Sequence, residues 1–175
     1  MQKVVSAKKF VKDEAWAHGD NPPFKPVSGD IEGVTIESLV RHADDRGDLV
    51  ELLSTRNGPI TEFKHSYCVT ATPMSVRAWL YHKIQVDRLN FINGLFRIVL
   101  FDIRDDSPTK GNVMDFTAGH DDPIRLIIPT WVVHGVCNIG SGNAYFINMP
   151  TEVYDLKDPD KYRLPYPNSD IPIEF

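Results

Sequence analysis

The sequence predicts an all-β fold, in which antiparallel strands form a sandwich or a barrel. Short runs rich in β-branched and aromatic residues follow one another at spacings of about 8–15 residues, with turn residues between them. No segment keeps the 3.6-residue apolar period of an amphipathic helix over three turns. The 175 residues suit one domain whose core needs no disulfide or structural metal.

We expect about eight to ten short strands between Val34 and Met149. The predicted runs are VTIESLV, DLVELL, HSYCVTAT, SVRAWLYH, RLNFIN, LFRIVLFDI, IRLIIP, WVVHGVCNI and NAYFINM. Side chains alternate along a strand, so Phe146 and Asn148 share one face of the last run. Turn residues separate the runs, at Arg46-Gly47, Asn57-Gly58-Pro59, Asn93-Gly94, Ser107-Pro108 and Gly140-Ser141-Gly142.

Both ends of the chain predict irregular structure around this single domain. Residues 1–30 are polar and end in the proline-rich DNPPFKPVSGD, so we expect an N-terminal arm that lies on the domain or on a partner subunit. Residues 31–175 form the predicted domain. Its C-terminal tail has four prolines in 21 residues and is expected to be irregular, with a short helical turn near residues 158–162.

Composition excludes several classes of protein. With 19 Lys and Arg against 24 Asp and Glu, the net charge of −5 lacks the basic face that a nucleic-acid partner needs. No apolar run reaches the roughly 18 residues of a membrane span, and no secretory signal precedes the domain, so we expect a cytoplasmic protein without a membrane partner. Cys68 and Cys137 have no CxxC neighbour and are expected to be buried free thiols.

Two segments carry arginines suited to an anionic ligand. In DDRGDLVEL, Arg46 and Glu51 flank a tight turn, where an arginine fork can bind phosphate; a solvated turn is the alternative. In residues 76–87, Arg77 and His82 can line one cavity only if a β-bulge lies between them. Without the bulge, His82 would take a surface or edge position.

A third segment, IPTWVVHG, places His134 among apolar strand residues, as either a buried structural histidine or a catalytic one. His82, Asp87 and His134 are the plausible metal ligands of the chain, but their spacing is not diagnostic and we predict no metal site. The chain also has no glycine-rich phosphate loop and no GxSxG elbow.

In their order along the chain, these segments resemble the dTDP-4-dehydrorhamnose 3,5-epimerase family, the RmlC-like branch of the cupin fold. The resemblance runs from about Gly33 to Phe175 and rests on DDRGDLVELL, residues 77–85, FDIRDDSPTKG and IPTWVVHG. It implies an RmlC-like cupin jelly-roll barrel that forms a homodimer and uses no cofactor. The implied substrate is a dTDP-linked, or otherwise nucleotide-linked, 4-keto-6-deoxyhexose that is deprotonated beside its ketone.

The resemblance assigns substrate binding to residues that this chain keeps. Arg46 and Glu51 match the nucleotide-contacting turn, and Arg77 matches a substrate arginine. Gln85 matches the glutamine that precedes the family's catalytic lysine, and His134 matches the histidine of the His-Gly pair.

The family's catalytic side chains are substituted in this chain. The base histidine falls at Leu80, the lysine at Asp87 (or at Arg88 if the register slips by one), the tyrosine at Asn148 and the supporting aspartate at Asn168. The aromatic residue that stacks on the nucleobase falls at Leu49. Asn148 therefore remains a candidate for substrate binding.

Three hypotheses remain open. In the first, the protein is an epimerase or isomerase with a rearranged catalytic set: His82 is the base, Asp87 or His134 orients it, and Tyr81 is a spare acid if a bulge turns it inward. In the second, it is a non-catalytic or differently catalytic cupin that binds a nucleotide sugar. In the third, it is a structural or assembly protein of a polysaccharide gene set. If Leu80 points into the barrel beside His134, the family's usual mechanism is lost.

Overall fold

A computed structural model describes residues 26–28, 30–55 and 63–175, which contain thirteen strands. The strands are β1 (Pro26–Ser28), β2 (Thr35–Ser38), β3 (Arg41–Asp44), β4 (Gly47–Val50), β5 (Tyr67–Ala71), β6 (Val76–Tyr81), β7 (Asp87–Asn93), β8 (Leu95–Asp102), β9 (Val113–Gly119), β10 (Ile124–Ile128), β11 (Val132–Asn138), β12 (Ala144–Asn148) and β13 (Tyr162–Arg163). These residues include no helix, and hence none long and apolar enough to cross a membrane. The predicted all-β class is confirmed.

Two antiparallel sheets face each other across the core. The six-stranded sheet has the order β1-β2-β10-β7-β12-β5, and the five-stranded sheet has the order β13-β6-β11-β8-β9. Alternate side chains from both sheets fill the space between them, because each strand turns every second residue inward. Phe91, Phe96 and Phe146 meet there, with ring centroids 5.1–5.7 Å apart.

Each of the nine predicted runs contains a strand, whereas β1, β3, β9 and β13 were not predicted. Of these, β9 mixes Asp, Thr and Gly with its apolar residues, and β13 is only two residues long. The helical turn predicted near residues 158–162 is wrong, because Tyr162 pairs with Tyr81 in β6 instead. The turn at Asn57-Gly58-Pro59 and residues 1–25 of the predicted arm lie outside the described residues.

The sequence FDIRDDSPTKG forms a turn organised by one buried carboxylate. Asp102 accepts hydrogen bonds from the Arg104 guanidinium and from the hydroxyls of Ser107 and Thr109, at 2.6–2.8 Å. Burial alone would raise the pKa of Asp102, but these donors outweigh it and hold the pKa well below its usual range. The side chains that make this segment recognisable in the sequence therefore stabilise the turn.

The outer face of the five-stranded sheet is covered by the C-terminal tail. Trp79 stacks on Phe175 with ring centroids 5.2 Å apart, and Ile171 packs beside them. Gly135 lies under this contact, and a Cβ there would come within 2.6 Å of Ala78 Cβ and 3.0 Å of Trp79. The glycine of the His-Gly pair therefore allows the tail and β6 to approach β11 closely.

The two cysteines differ in their environment. Both are free thiols, and Cys137 is buried as predicted. The prediction that Cys68 is buried is wrong. Cys68 lies in β5, an edge strand of the six-stranded sheet, and its cross-strand partner Ile147 alternates with the inward-facing Phe146 and Asn148, so that Cys68 faces outward.

We predict that Gly135→Ala destabilises the fold by about 1–3 kcal/mol, because the added methyl group overpacks the contact between β6, β11 and the tail. Chemical denaturation monitored by tryptophan fluorescence measures this change. Gly142→Ala is the matched control, since a Cβ at Gly142 meets nothing within 4 Å. Equal stability of the two variants would contradict the packing role of Gly135.

Candidate active site

A bulge in β6 brings the polar residues of this strand to one end of the barrel. Leu80 lies opposite His134 of β11 and Arg77 lies opposite Val136, so three residue steps on β6 face two on β11. The sequence required this bulge for Arg77 and His82 to line one cavity. Directly opposed residues of an antiparallel pair share a face, so Leu80 lies on the inner face beside His134.

Asp87 is the centre of the polar cluster. Asp87 is the first residue of β7, and it is only 3% exposed. Its Oδ1 accepts hydrogen bonds from Gln85 Nε2 at 2.7 Å and from Asn148 Nδ2 at 2.8 Å. Its Oδ2 lies 3.4 Å from His82 Nε2 and 3.2 Å from His134 Nε2. Four side chains from three segments of the chain therefore converge on one buried charge.

The other nitrogen of each histidine faces a backbone carbonyl. His134 Nδ1 lies 3.1 Å from the Val132 carbonyl, and His82 Nδ1 contacts the Asp160 carbonyl. A carbonyl oxygen can only accept, so each Nδ1 carries the hydrogen. The Nε2 atom of each ring faces Asp87, and in His82 it is the atom that can gain a proton.

Asp160 holds the loop that carries these residues. Its carboxylate accepts the backbone N–H groups of Lys83, Ile84 and Gln85 at 2.8–2.9 Å. Burial raises the pKa of Asp160, but these three donors outweigh it and lower the pKa below its ordinary value. The tail thus contacts His82 through the Asp160 carbonyl and fixes the loop through the carboxylate of the same residue.

The charges of the cluster stabilise one another. Burial alone lowers the pKa of His82, but the hydrogen bond and charge of Asp87, together with the carbonyl and charge of Asp160, outweigh burial and raise the pKa above its ordinary value. Burial works in the opposite direction on Asp87, yet the two histidines hold its pKa far below the usual range of a carboxyl group. At neutral pH the cluster therefore contains a carboxylate and a readily protonated imidazole.

Tyr67 is a site residue that the sequence did not reveal. Its hydroxyl accepts a hydrogen bond from Asn148 Nδ2 at 2.9 Å and therefore remains able to donate its own proton. Burial and the charge of Asp87 raise the pKa of Tyr67. The side chain is 38% exposed, which places a phenol between the buried cluster and solvent. A tyrosine in a strand run carries no distinguishing signal in one sequence.

Tyr81 does not point into the site. Its ring stacks on Trp131 and Tyr162, with centroids 5.3 and 5.0 Å away, on the opposite side of the strand from Leu80 and His82. The suggestion that a bulge turns Tyr81 inward is therefore wrong, because the bulge lies before Leu80. Asn168, at the family's aspartate position, accepts the Asp170 backbone N–H in a turn of the tail.

The hairpin of β3 and β4 lies away from the cluster. Arg41 donates to the Ile92 carbonyl, which is five residues along β7 from Asp87, or roughly 17 Å at the usual rise of a strand. Arg46 lies at the tip of this hairpin with its side chain 85% exposed and paired with Asp44. Arg46 therefore lies outside the cluster of its own chain, and Glu51 directly follows β4.

The remaining predicted residues lie near the cluster. Arg77 is exposed on β6 and donates to the Thr70 carbonyl at 2.8 Å. Gln85 and Asn148 both bind Asp87 Oδ1, so their amides orient the carboxylate. Among the described ranges, His82, Asp87 and His134 also form the one group whose donor atoms, within 4.8 Å of one another, could hold a metal ion.

Comparison with known proteins agrees with this architecture. The family model described as the polysaccharide biosynthesis C-terminal domain matches residues 42–162, more than half of the chain and all of the cluster. The chain belongs to this family. The chain is also 33% identical over 141 residues to the spore coat polysaccharide biosynthesis protein SpsL of Bacillus subtilis, covering 81% of this chain and 93% of SpsL.

A second relative supports the same placement, and two solved structures share the fold. The probable low-salt glycan biosynthesis epimerase Agl13 of Haloferax volcanii is 36% identical over 138 residues, covering 78% of this chain and 88% of Agl13. A dTDP sugar isomerase from Desulfovibrio desulfuricans is 25% identical, with a TM-score of 0.77 over 83% of this chain and 92% of the isomerase. The dTDP-4-dehydrorhamnose 3,5-epimerase of Bacillus anthracis is 18% identical, with a TM-score of 0.73 over 86% of this chain and 89% of the epimerase. These matches confirm the RmlC-like cupin fold and the resemblance noted in the sequence.

For this family member, we predict that Asp87→Asn lowers the pKa of His82 relative to the wild type. The carboxylate that raises this pKa is lost, whereas the burial that lowers it remains. NMR titration of the histidine ring carbons measures the change, with the His82→Gln spectrum providing the assignment. In the wild type, the His82–Asp87 pair stabilises the fold fully below pH 6.5, and this contribution is lost as the pH rises through the raised pKa.

Asp102→Asn is the control for this titration. It removes another buried carboxylate, whose partners are Arg104, Ser107 and Thr109. His82 should titrate as in the wild type in this variant. An unchanged His82 pKa in Asp87→Asn would contradict the assigned electrostatics of the cluster.

Proposed function

We propose that the protein is a nucleotide-sugar epimerase or isomerase that moves a proton beside a ketone without a cofactor. The observation that supports this proposal best is the imidazole of His82 held against a buried carboxylate inside an RmlC-like barrel. Relatives with this architecture are named as an epimerase and as a dTDP sugar isomerase. The substrate we propose is a dTDP-linked, or otherwise nucleotide-linked, 4-keto-6-deoxyhexose.

His82 is the base in this proposal. Its Nδ1–H is donated to the Asp160 carbonyl, so Nε2 is the atom that can accept a proton. A C–H beside a ketone is weakly acidic, and its removal requires a base that titrates near neutral pH. Asp87, 3.4 Å from Nε2, stabilises the imidazolium that forms. His134 binds the same carboxylate oxygen and keeps it on the inner side of the barrel.

Tyr67 returns the proton. Epimerisation requires reprotonation from the face opposite the base. Asn148 links the phenol to Asp87 Oδ1, whereas His82 lies against Oδ2, so the phenol and the imidazole approach the carboxylate from different oxygens. Asn148, at the position of the family's tyrosine, holds this hydroxyl at 2.9 Å. The phenol of Tyr67 in β5 would thereby lie next to the position on β12 where the family has its catalytic tyrosine.

Arg46 and Glu51 fit a site formed between the two subunits of a homodimer. In its own chain, the β3–β4 hairpin contacts Ile92, which lies roughly 17 Å along β7 from Asp87, and it presents an exposed guanidinium suited to a diphosphate. In the homodimer that we propose, the hairpin of one subunit reaches the barrel of its partner, whose Arg77 binds the other side of the phosphates. We place the enzyme in the cytoplasm, where nucleotide sugars are made.

We predict that the protein exchanges hydrogen at C3 or C5 of dTDP-4-keto-6-deoxyglucose in D₂O, and that His82→Gln slows this exchange at least about 100-fold by removing the base. Tyr67→Phe should retain exchange but lose epimerisation by about the same factor, because only the second proton transfer is impaired. Proton NMR and mass spectrometry measure both. Tyr145→Phe is the control, since Tyr145 has the same 38% exposure but faces outward on β12.

The wild-type result separates the hypotheses. Absence of exchange with dTDP-, UDP-, CDP- and GDP-linked 4-keto sugars would refute the enzymatic proposal. Thermal stabilisation by a nucleotide would then favour a sugar-nucleotide-binding cupin, since a ligand at 100 times its Kd adds roughly 2.7 kcal/mol. Stabilisation by none of the nucleotides would favour a structural or assembly protein.

We predict that Arg46→Ala weakens binding of the dTDP-sugar about tenfold, the usual effect of losing one charge-assisted hydrogen bond. If Arg46 acts on the partner's site, a mixed dimer of Arg46→Ala and His82→Gln subunits contains one intact site. Unfolding and refolding the two variants together should then restore activity at low substrate concentration. Failure of the mixture to exceed the separate variants would exclude a shared site.

A further inference from the structure

The C-terminal tail brings a lysine to the cluster. Tyr162 lies opposite Tyr81 and Arg163 lies opposite Leu80 in the antiparallel pair of β13 and β6. Continuing this register by one residue places Lys161 opposite His82. The contact between His82 Nδ1 and the carbonyl of Asp160, the residue bonded to Lys161, agrees with this placement.

Alternation along the tail determines the side on which Lys161 lies. Tyr162 faces outward, because its ring stacks on Tyr81 at 5.0 Å. Lys161 and Arg163 therefore lie on the other face, the one that carries Leu80, His82 and His134. An ammonium group on this face enters the site from the tail.

The burial of Lys161 and the charges around it indicate that its side chain lies in the site. The side chain is half-buried, and burial together with the charges of Arg163 and Arg77 lowers its pKa, while the charge of Asp87 opposes this shift. Lys161 is thus electrostatically coupled both to the buried carboxylate and to the arginine that we assign to the phosphates. The bound ketone of a nucleotide sugar would lie between these two groups.

We propose that Lys161 is the catalytic residue that binds the ketone oxygen of the substrate and stabilises the enolate. This inference rests on the proposed proton-transfer function. Removal of a proton beside a ketone places negative charge on the ketone oxygen, and Lys161 is the cation that stabilises this charge. The family's lysine position is Asp87 in this chain, so no lysine reaches the oxygen from β7.

The proton transfers balance without another reactant. His82 Nε2 takes the proton from carbon, the C–H electrons form the C=C bond, and the carbonyl π electrons move to oxygen. Lys161 Nζ donates a hydrogen bond to this oxygen throughout and keeps its proton. Tyr67 then protonates carbon from the opposite face, the C=O bond re-forms, and solvent restores the protonation states of Tyr67 and His82.

Substitution of Lys161 tests this assignment by separating catalysis from binding. Lys161→Met should lower the rate of hydrogen exchange in D₂O at least about 100-fold, the usual cost of losing one oxyanion donor, with the Kd of the dTDP-sugar changed by less than about threefold. Lys161→Arg should recover part of the rate, because it retains a charged donor. Lys157→Met is the control, since Lys157 is an exposed lysine of the same tail.

A second readout excludes a purely structural role for the lysine. With substrate labelled with ¹³C at C4, binding to the wild type should move the carbonyl resonance downfield, and Lys161→Met should abolish that shift. A lysine that only pairs with Asp87 would leave the resonance unchanged. Exchange by Lys161→Met within threefold of a working wild type would overturn the Lys161 assignment and leave the proposed function intact. Absence of exchange by the wild type would overturn both.

Discussion

The buried carboxylate of Asp87 is the group on which the rest of the site depends. A charge among apolar side chains is tolerated only when donors replace the water that it has lost, and removing one donor costs several kcal/mol. Asp87 begins a strand whose next inward residues are the core side chains Leu89 and Phe91. The four side chains around it come from β11, β12 and the loop before β7, so one charge requires three segments to meet at the same end of the barrel.

The proline-rich C-terminal tail is fixed in position by contacts of its side chains. Prolines and the absence of apolar periodicity predict irregular backbone, and the tail contains only the two-residue β13. It is nevertheless held at both ends. Asp160 binds three backbone N–H groups of the loop that carries Gln85, and Phe175 stacks on Trp79 across the outer face of the sheet. The tail can therefore position site residues without regular secondary structure, because contacts of its side chains hold its backbone in place.

The sequence predicts the fold better than it predicts the site. Strands are local patterns, and the sequence names the bulge in β6 only as a condition for Arg77 and His82 to line one cavity. The cluster of His82, Asp87 and His134 can be proposed because ionisable residues in apolar runs are unusual. Tyr67 and Lys161 reach the same place from an edge strand and from the tail, and only cross-strand register reveals that. The orientation of Tyr81 likewise depends on where the bulge lies, which a pattern of residue types does not specify.

The substitutions at the family's catalytic positions make physical sense as one coupled change. Replacing a lysine with Asp87 changes the charge at the inner end of the barrel by two units, and an uncompensated carboxylate there would be too costly to bury. The proximity of His82 and His134 supplies one compensation, since the carboxylate favours a protonated imidazole. Lys161 supplies the other from the tail. In the mechanism that we propose, the cation that stabilises the enolate therefore comes from the tail instead of from β7, and the carboxylate on β7 is the partner of the base.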